Sequence, residues 1–332
     1  MGCSSSPVIN YENSFNECTM TINNLPDELI KIFPSPSDCD CIIACSCHNY
    51  KVLDIKDEKE KDSYDFHYEI FNLILYDTPT ISNLIEGGSK GDLIIHDLET
   101  KQIKVKAAHM ATITCLLLLK NGNLLTASSD GFIYIWDPTQ EYDEVMHFNA
   151  HKSIIWNICE IKKNLIISTS NEGISKMFSI KKEPNNRCVL VFNTPKCKCL
   201  QKFTNKRIVY NSSNDIIIYY IERIPDLSEE EEKIRIKKKH EPQFVIKDAH
   251  ETPITYILTM KTGEIVSGGE DGIIKVFHDK YNFECTSVLT GHSKRINYIG
   301  VFFDDKLISC SDDKRIKMWE RALFEKSKYK DY

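Results

Sequence analysis

The 332-residue chain has no apolar run long enough to cross a bilayer. Its longest runs, such as CLLLL at 115–119, fall far short of the ~20 residues a spanning helix needs. No secretory apolar segment follows the N-terminus. An excess of positive charge is also missing: 42 Lys and Arg face 48 Asp and Glu, for a net charge of −6. That balance argues against a nucleic-acid partner bound by phosphate neutralisation. An even set of cysteines is absent too, since the 13 Cys are odd in number and scattered. They suit reduced thiols in a cytosolic compartment better than a disulfide framework. The motifs G-x-S-x-G, H-E-x-x-H and the calcium loop do not occur. GGSKGD at 87–92 has the glycines of a phosphate loop, but neither its spacing nor a following helix. No catalytic residue, cofactor, metal or small-molecule substrate is expected.

What the chain does have is repetition. AHMATITCLLLL begins at Ala108, and similar stretches open at His151, His250 and His292. In all four, the His lies 27 residues before an aromatic: Trp136, Phe178, Phe277 and Trp319. The starts lie 42 residues apart, from 109 to 151 and from 250 to 292. A fifth unit fits from near Asn193 to Tyr220, and LIEGGSKGDLIIHD (84–97) and IIACSCHNYKVLDI (42–55) add two more. The seven third strands are expected to end near 55, 97, 137, 179, 221, 278 and 320. Alternation such as Phe132, Tyr134, Trp136 has period 2, and the pairs Asp130-Gly131 and Asp271-Gly272 favour two-residue hairpins. One four-stranded sheet of this kind cannot bury both faces alone, so seven stack radially.

These residues resemble the WD40-repeat family, with its Gly/Ala-His opening, turn Asp and Trp-Asp close. The resemblance implies an all-β, seven-bladed β-propeller over about 16–320. It also implies a buried hydrogen-bonded chain of His, Ser/Thr, Asp and Trp. His109, Thr126, Asp130 and Trp136 match it fully, as do His292, Ser309, Asp313 and Trp319. His250, Ser267 and Asp271 match but meet Phe277, while His151 and Ser168 meet Glu172 and Phe178. Units one and two lack the opening His, and unit five keeps almost none of the pattern. Repeated, buried constellations of this sort are structural rather than catalytic.

Only a charged tail (321–332) follows the last third strand, so the seventh blade lacks an outer strand. NECTMTI (16–22) has the strand character to supply it, which would remove an open sheet edge. A charged insert, 222–243, is expected as a loop between the third and fourth strands of blade five, with QFVIKDA resuming the sheet. A second charged loop is expected at 54–65. Cys39, Cys41, Cys45, Cys47 and His48 carry zinc-type ligand chemistry, yet a strand and its turn spread them along a line. No metal is assigned to them.

With no catalytic constellation, the ring is read as a monomeric platform for other proteins. In the resembling family, positions five after the His and one before the turn Asp point to the partner-binding face. Here these are Thr114, Trp156, Thr255 and Asn297, then Ser129, Asn171, Glu270 and Asp312, with Arg295 beside them. Trp and Arg are the residues most enriched in binding hot spots. The leader MGCSSSPVIN fits the myristoylation pattern at Gly2, with Ser6 in place and Cys3 as palmitoyl acceptor, although Pro7 departs from usual substrates. Residues 1–30 hold no Lys or Arg, so a second anchor would have to be Cys3. The expectation is a cytoplasmic scaffold held to a membrane through acyl chains on a 1–15 tether. The alternative is a soluble cytosolic adaptor or complex subunit, such as a ubiquitin-ligase substrate receptor. The Trp-Asp-x-Arg expected of a ligase receptor is not found after Trp136 or Trp319. A G-protein β-like subunit would carry a long N-terminal coiled-coil helix, which residues 1–15 cannot form.

Overall fold

The computed structural model describes residues 15–23, 25, 27–36, 38, 40–66, 70–79, 81–181, 187–194, 196–204, 206–221, 235–236, 242–302 and 306–321. Gly2, Cys3, Pro7, Cys39, most of the 222–243 insert and the tail beyond Arg321 lie outside them.

Seven separate sheets form, one for each repeat, each built on four antiparallel strands. Blade three shows the plan: Ile113–Leu118, Leu124–Ser128, Phe132–Asp137 and Asp143–Asn149, hydrogen-bonded in that order. The seven third strands are Asn49–Asp54, Asp92–Asp97, Phe132–Asp137, Ile174–Ser179, Asp215–Tyr220, Ile274–His278 and Ile316–Arg321, in step with the repeat. The first strands are innermost. Leu29–Pro34, Ile70–Thr78, Ile113–Leu118, Ile155–Lys162, Leu200–Lys202, Ile254–Thr259 and Ile296–Val301 each pack on the two adjacent first strands, and the seventh meets the first. The result is a closed seven-bladed β-propeller.

The core lies between the blades. Its seven apolar clusters correspond to the seven seams, each drawing on two adjacent blades. Second strands such as Leu165–Ser170 and Glu264–Gly269 are buried along their whole length, because both faces are covered by neighbouring sheets. Gly131 closes the blade-three hairpin at φ +83°, where an added Cβ would fall 2.2 Å from the His151 carbonyl oxygen. Gly91 makes the same approach to the His109 carbonyl at φ +90°, so GGSKGD is a hairpin turn and not a phosphate loop.

The ring is closed by its two ends. Phe15–Ile22 pairs antiparallel with Ile316–Arg321, from Phe15 opposite Arg321 to Ile22 opposite Ile316. Arg321 Nη1 and Nη2 each donate to Glu264 of blade six at 2.7 Å, and the guanidinium lies 4.2 Å from the Phe15 ring centre. Burial alone would raise the Glu264 carboxyl, but the hydrogen bonds from Arg321 and Thr262 outweigh it and hold it below the usual range.

Three segments differ from the sequence expectation. The charged stretch 54–65 is not a loop: Glu60–Asp65 is the outer strand of blade one. An outer strand faces solvent, so charge is tolerated there, and it is matched by Lys61 to Asp54 (2.8 Å), Lys51 to Glu60 and Lys101 to Asp62. Asn193 ends the outer strand of blade four, Cys188–Asn193, and blade five begins instead at the three-residue strand Leu200–Lys202. Within the insert, Arg235 and Ile236 pair parallel with Leu190 and Val191, adding a fifth strand to blade four. Phe244–Ile246 does resume the sheet of blade five.

Candidate functional site

In blade three the buried chain of polar groups runs complete. Trp136 Nε1 donates to Thr126 Oγ1 (3.1 Å), which lies 2.8 Å from His109 Nε2, while His109 Nδ1 is 3.1 Å from Asp130 Oδ2. A neutral imidazole satisfies this arrangement with its proton on Nδ1. Blade seven repeats it through Trp319, Ser309, His292 and Asp313 at 2.9 Å per step. Burial lowers both imidazoles' affinity for a second proton, against the pull of Asp130 and Asp313.

The chain is truncated in two other blades. His250 Nε2 meets Ser267 Oγ at 2.8 Å, but Nδ1 has no partner among the described residues. Asp271 instead accepts from the Ile273 N–H at 2.9 Å. His151 pairs with Ser168 at 2.8 Å, and its Nδ1 stays 3.7 Å from Glu172. Burial pushes both imidazoles down to about 4. Blade two replaces the Thr–Trp step with Glu86 and His96, buried 3.0 Å apart, and Phe66 packs 5.7 Å from the His96 ring. None of these groups is gathered into an open constellation.

On the turn-bearing face, which carries the turns between second and third strands, the first strand of six blades breaks register after its opening residue. The breaks follow Leu29, Ile70, Ile113, Ile155, Ile254 and Ile296. The bulged residues are therefore Ile30, Phe71, Thr114, Trp156, Thr255 and Asn297. A bulge re-aims one side chain away from the pleat, which is why the position five after the His is distinctive.

These residues divide into two kinds. The polar ones tie their blade to the next: Thr114 Oγ1 donates to Ile155 O (2.5 Å), Thr255 Oγ1 to Ile296 O (2.5 Å) and Asn297 Nδ2 to Leu29 O (2.9 Å). Where the bulged residue is apolar, the following residue makes the tie. Lys31 donates to Leu73 O (2.6 Å), Asn72 to Thr114 O (3.0 Å) and Asn157 to Lys198 O (3.2 Å). Asn211 Nδ2 to Ile254 O (3.0 Å) completes a circuit of seven ties. Phe71 and Trp156 are thereby free of that duty, whereas Ile30 packs on the apolar core between blades one and two. Phe71 is 54% exposed; Trp156 is half-buried with Lys198 Nζ 5.3 Å from its ring centre.

The positions before the turn Asp sit beside them. The N–H groups of Ser129, Asn171, Glu270 and Asp312 donate to the carbonyls of Thr112, Ile154, Pro253 and Arg295 at 3.0–3.1 Å. This places Arg295 next to Asp312, whose carboxylate also accepts from Asn297. Glu270 and Arg295 are exposed. Met110, 98% exposed, adds an apolar side chain on the same face, with its N–H on Asp130 Oδ2 at 3.1 Å. Counting from the opening His could not find Ile30 or Phe71, because their units have none. The register of the first strand is what identifies them.

Cys41 and Cys45 are buried in the second strand of blade one, and Cys41 Sγ lies 3.3 Å from Asp38 Oδ2. Cys47 Sγ is 3.1 Å from His48 Nδ1 in the following turn. Among the described residues, no group of three or more His, Cys, Asp or Glu is disposed to hold a metal.

Residues 100–137 and 283–320 match the family model described as WD domain, G-beta repeat. The chain is 26% identical over 210 residues to the tRNA (guanine-N(7)-)-methyltransferase non-catalytic subunit wdr4 of Dictyostelium discoideum, covering 60% of this chain and 44% of that protein. It is 19% identical over 216 residues to the E3 ubiquitin-protein ligase COP1 of Arabidopsis thaliana, covering 63% of this chain and 29% of that protein. The chain thus spans less than half the length of either relative.

Proposed function

We propose that this WD40-repeat protein, a seven-bladed propeller, is a non-enzymatic docking subunit that binds another protein on its turn-bearing face. The observation that carries the reading is the division of labour among the bulged residues. Thr114, Thr255 and Asn297 serve the ring, whereas Phe71 and Trp156 leave that duty to a neighbour and present aromatic surface; Ile30 instead packs on the core between blades one and two. Apolar and aromatic anchors ringed by charge are the common composition of a binding hot spot, and Glu270 and Arg295 supply the charge. The likeness to a non-catalytic subunit of a methyltransferase supports membership of a multiprotein complex. The test is quantitative recovery of partners from the native cell with wild-type chain and with Phe71→Ala/Trp156→Ala. Recovery falls at least about tenfold for the double variant if two hot-spot residues are lost; equal recovery places docking elsewhere.

Membrane attachment is a separate part of the proposal, supported by Gly2, Ser6 and the adjoining Cys3. Cys3 is the required second anchor, since no Lys or Arg lies in residues 1–30. Fractionation of wild type and Gly2→Ala tests it: the variant moves to the soluble fraction. A wild type found wholly soluble in cells that acylate proteins removes the lipid and leaves the docking role, as a soluble subunit, intact.

A further inference from the structure

The opposite end of the ring carries the turns between first and second and between third and fourth strands. There, blades one and two part to leave a cavity of about 690 Å³. This lies within the 300–1,000 Å³ of ordinary ligand pockets. Its floor is apolar and aromatic, from Ile43, Tyr50, Val52 and Leu98, and Pro36 and Pro79 form part of the wall. Its rim is charged, and the charges do not cancel. Lys61 is spent on Asp38 (2.9 Å) and Asp54 (2.8 Å), and Lys101 on Asp62. Asp77 and Glu99, also lining the cavity, have no ion-pair partner among the described residues. Deeper in the wall, Ser82 is only 9% exposed, and its Oγ has no hydrogen-bond partner among the described residues.

We propose that this seam is a second docking site, which takes a Lys or Arg side chain from an extended segment of a partner protein. The chemistry matches end to end. A basic side chain has an aliphatic stem that packs on Ile43, Val52 and the Tyr50 ring, and a cationic head with several N–H donors. Those donors suit the two unpaired carboxylates at the rim. An anionic ligand would meet Asp38, Asp62, Asp77 and Glu99 against two lysines already engaged. A purely apolar one would leave all of these unmatched. The site is separate from the turn-bearing face and does not depend on Trp156.

The test uses the full chain on an array of extended nonapeptides in which one central position is varied. Wild type retains peptides with central Arg or Lys over those with central norleucine or Glu. Asp77→Asn/Glu99→Gln lowers that retention at least about tenfold, the scale of losing charge-assisted hydrogen bonds. Glu251→Gln/Asp248→Asn, exposed carboxylates of the blade-six start, serves as the charge-matched control and leaves retention unchanged. Thermal melts establish that both variants fold. No preference for a basic residue, or equal losses in the two variants, overturns the site, the latter by showing that only bulk charge was read. Unchanged retention in Phe71→Ala/Trp156→Ala separates this result from the fate of the turn-face proposal.

Discussion

Acidification should weaken this propeller well above the range where its carboxylates titrate, and the histidines fix how much. His151 and His250 are each held at about 4, against an ordinary 6.5, chiefly by burial and then by Lys176 and Lys275 nearby. Between those values the unfolded chain binds protons that the folded chain refuses. Stability is therefore full above 6.5, falls as pH drops, and stops falling from this source below about 4. At about pH 5.5 the linkage is roughly 1 to 2 kcal/mol for each residue, or about 3 kcal/mol for the pair. His109 and His292 shift in the same direction, so they add to the loss. Glu86 acts with the opposite sign: burial raises its carboxyl, so the folded state gains a proton earlier than the unfolded one. Urea unfolding followed by tryptophan fluorescence gives the answer from the midpoint, provided the denaturant slope stays constant. The midpoint is nearly level down to about pH 6.5 and falls from there to about 5.5 in wild type, and falls less in His151→Gln/His250→Gln. A wild-type midpoint that is flat or rises over that window refutes the reasoning.

Three further substitutions probe how the ring is held closed. Arg321→Met leaves Glu264 buried without its cation and should lower stability by about 3 kcal/mol, read as a shift in the urea midpoint. Thr114→Val or Asn297→Ala removes one inter-blade tie, and each should cost about 1 kcal/mol. Thermal melts of the two single variants and the double should show nearly additive losses, since blades three and seven share no seam.

Much of this architecture was legible because the repeat is written in residues with strict backbone or packing needs. The 42-residue spacing and the alternation of Phe132, Tyr134 and Trp136 located every third strand. The missing outer strand of blade seven pointed to 16–22, within one residue of the observed Phe15–Ile22. What failed did so for physical reasons. Glu60–Asp65 reads as a loop because an outer strand has a solvent face that accepts charge and carries no apolar alternation. Blade five begins late because its first strand is only three residues, without an opening His to mark it. On the site, the position after the His was readable, but what it does was not. The carbonyls that Thr114, Thr255 and Asn297 reach belong to the next blade, about 41 residues away or, for Leu29, 268. Likewise Phe71 and Ile30 emerge only once strand register is known. The seam cavity had no signal at all, being assembled from two blades by turns of unrelated sequence.

The claim at the centre is that a partner docks on the turn-bearing face through Phe71 and Trp156. Hydrogen exchange on the complex purified from the native cell, compared with the chain alone, tests it most directly. The account predicts added protection in the stretches around Phe71, Trp156 and Arg295 that exceeds any change along the outer strands. Protection confined to the outer strands, with the turn-bearing face exchanging as it does in the free chain, would contradict it.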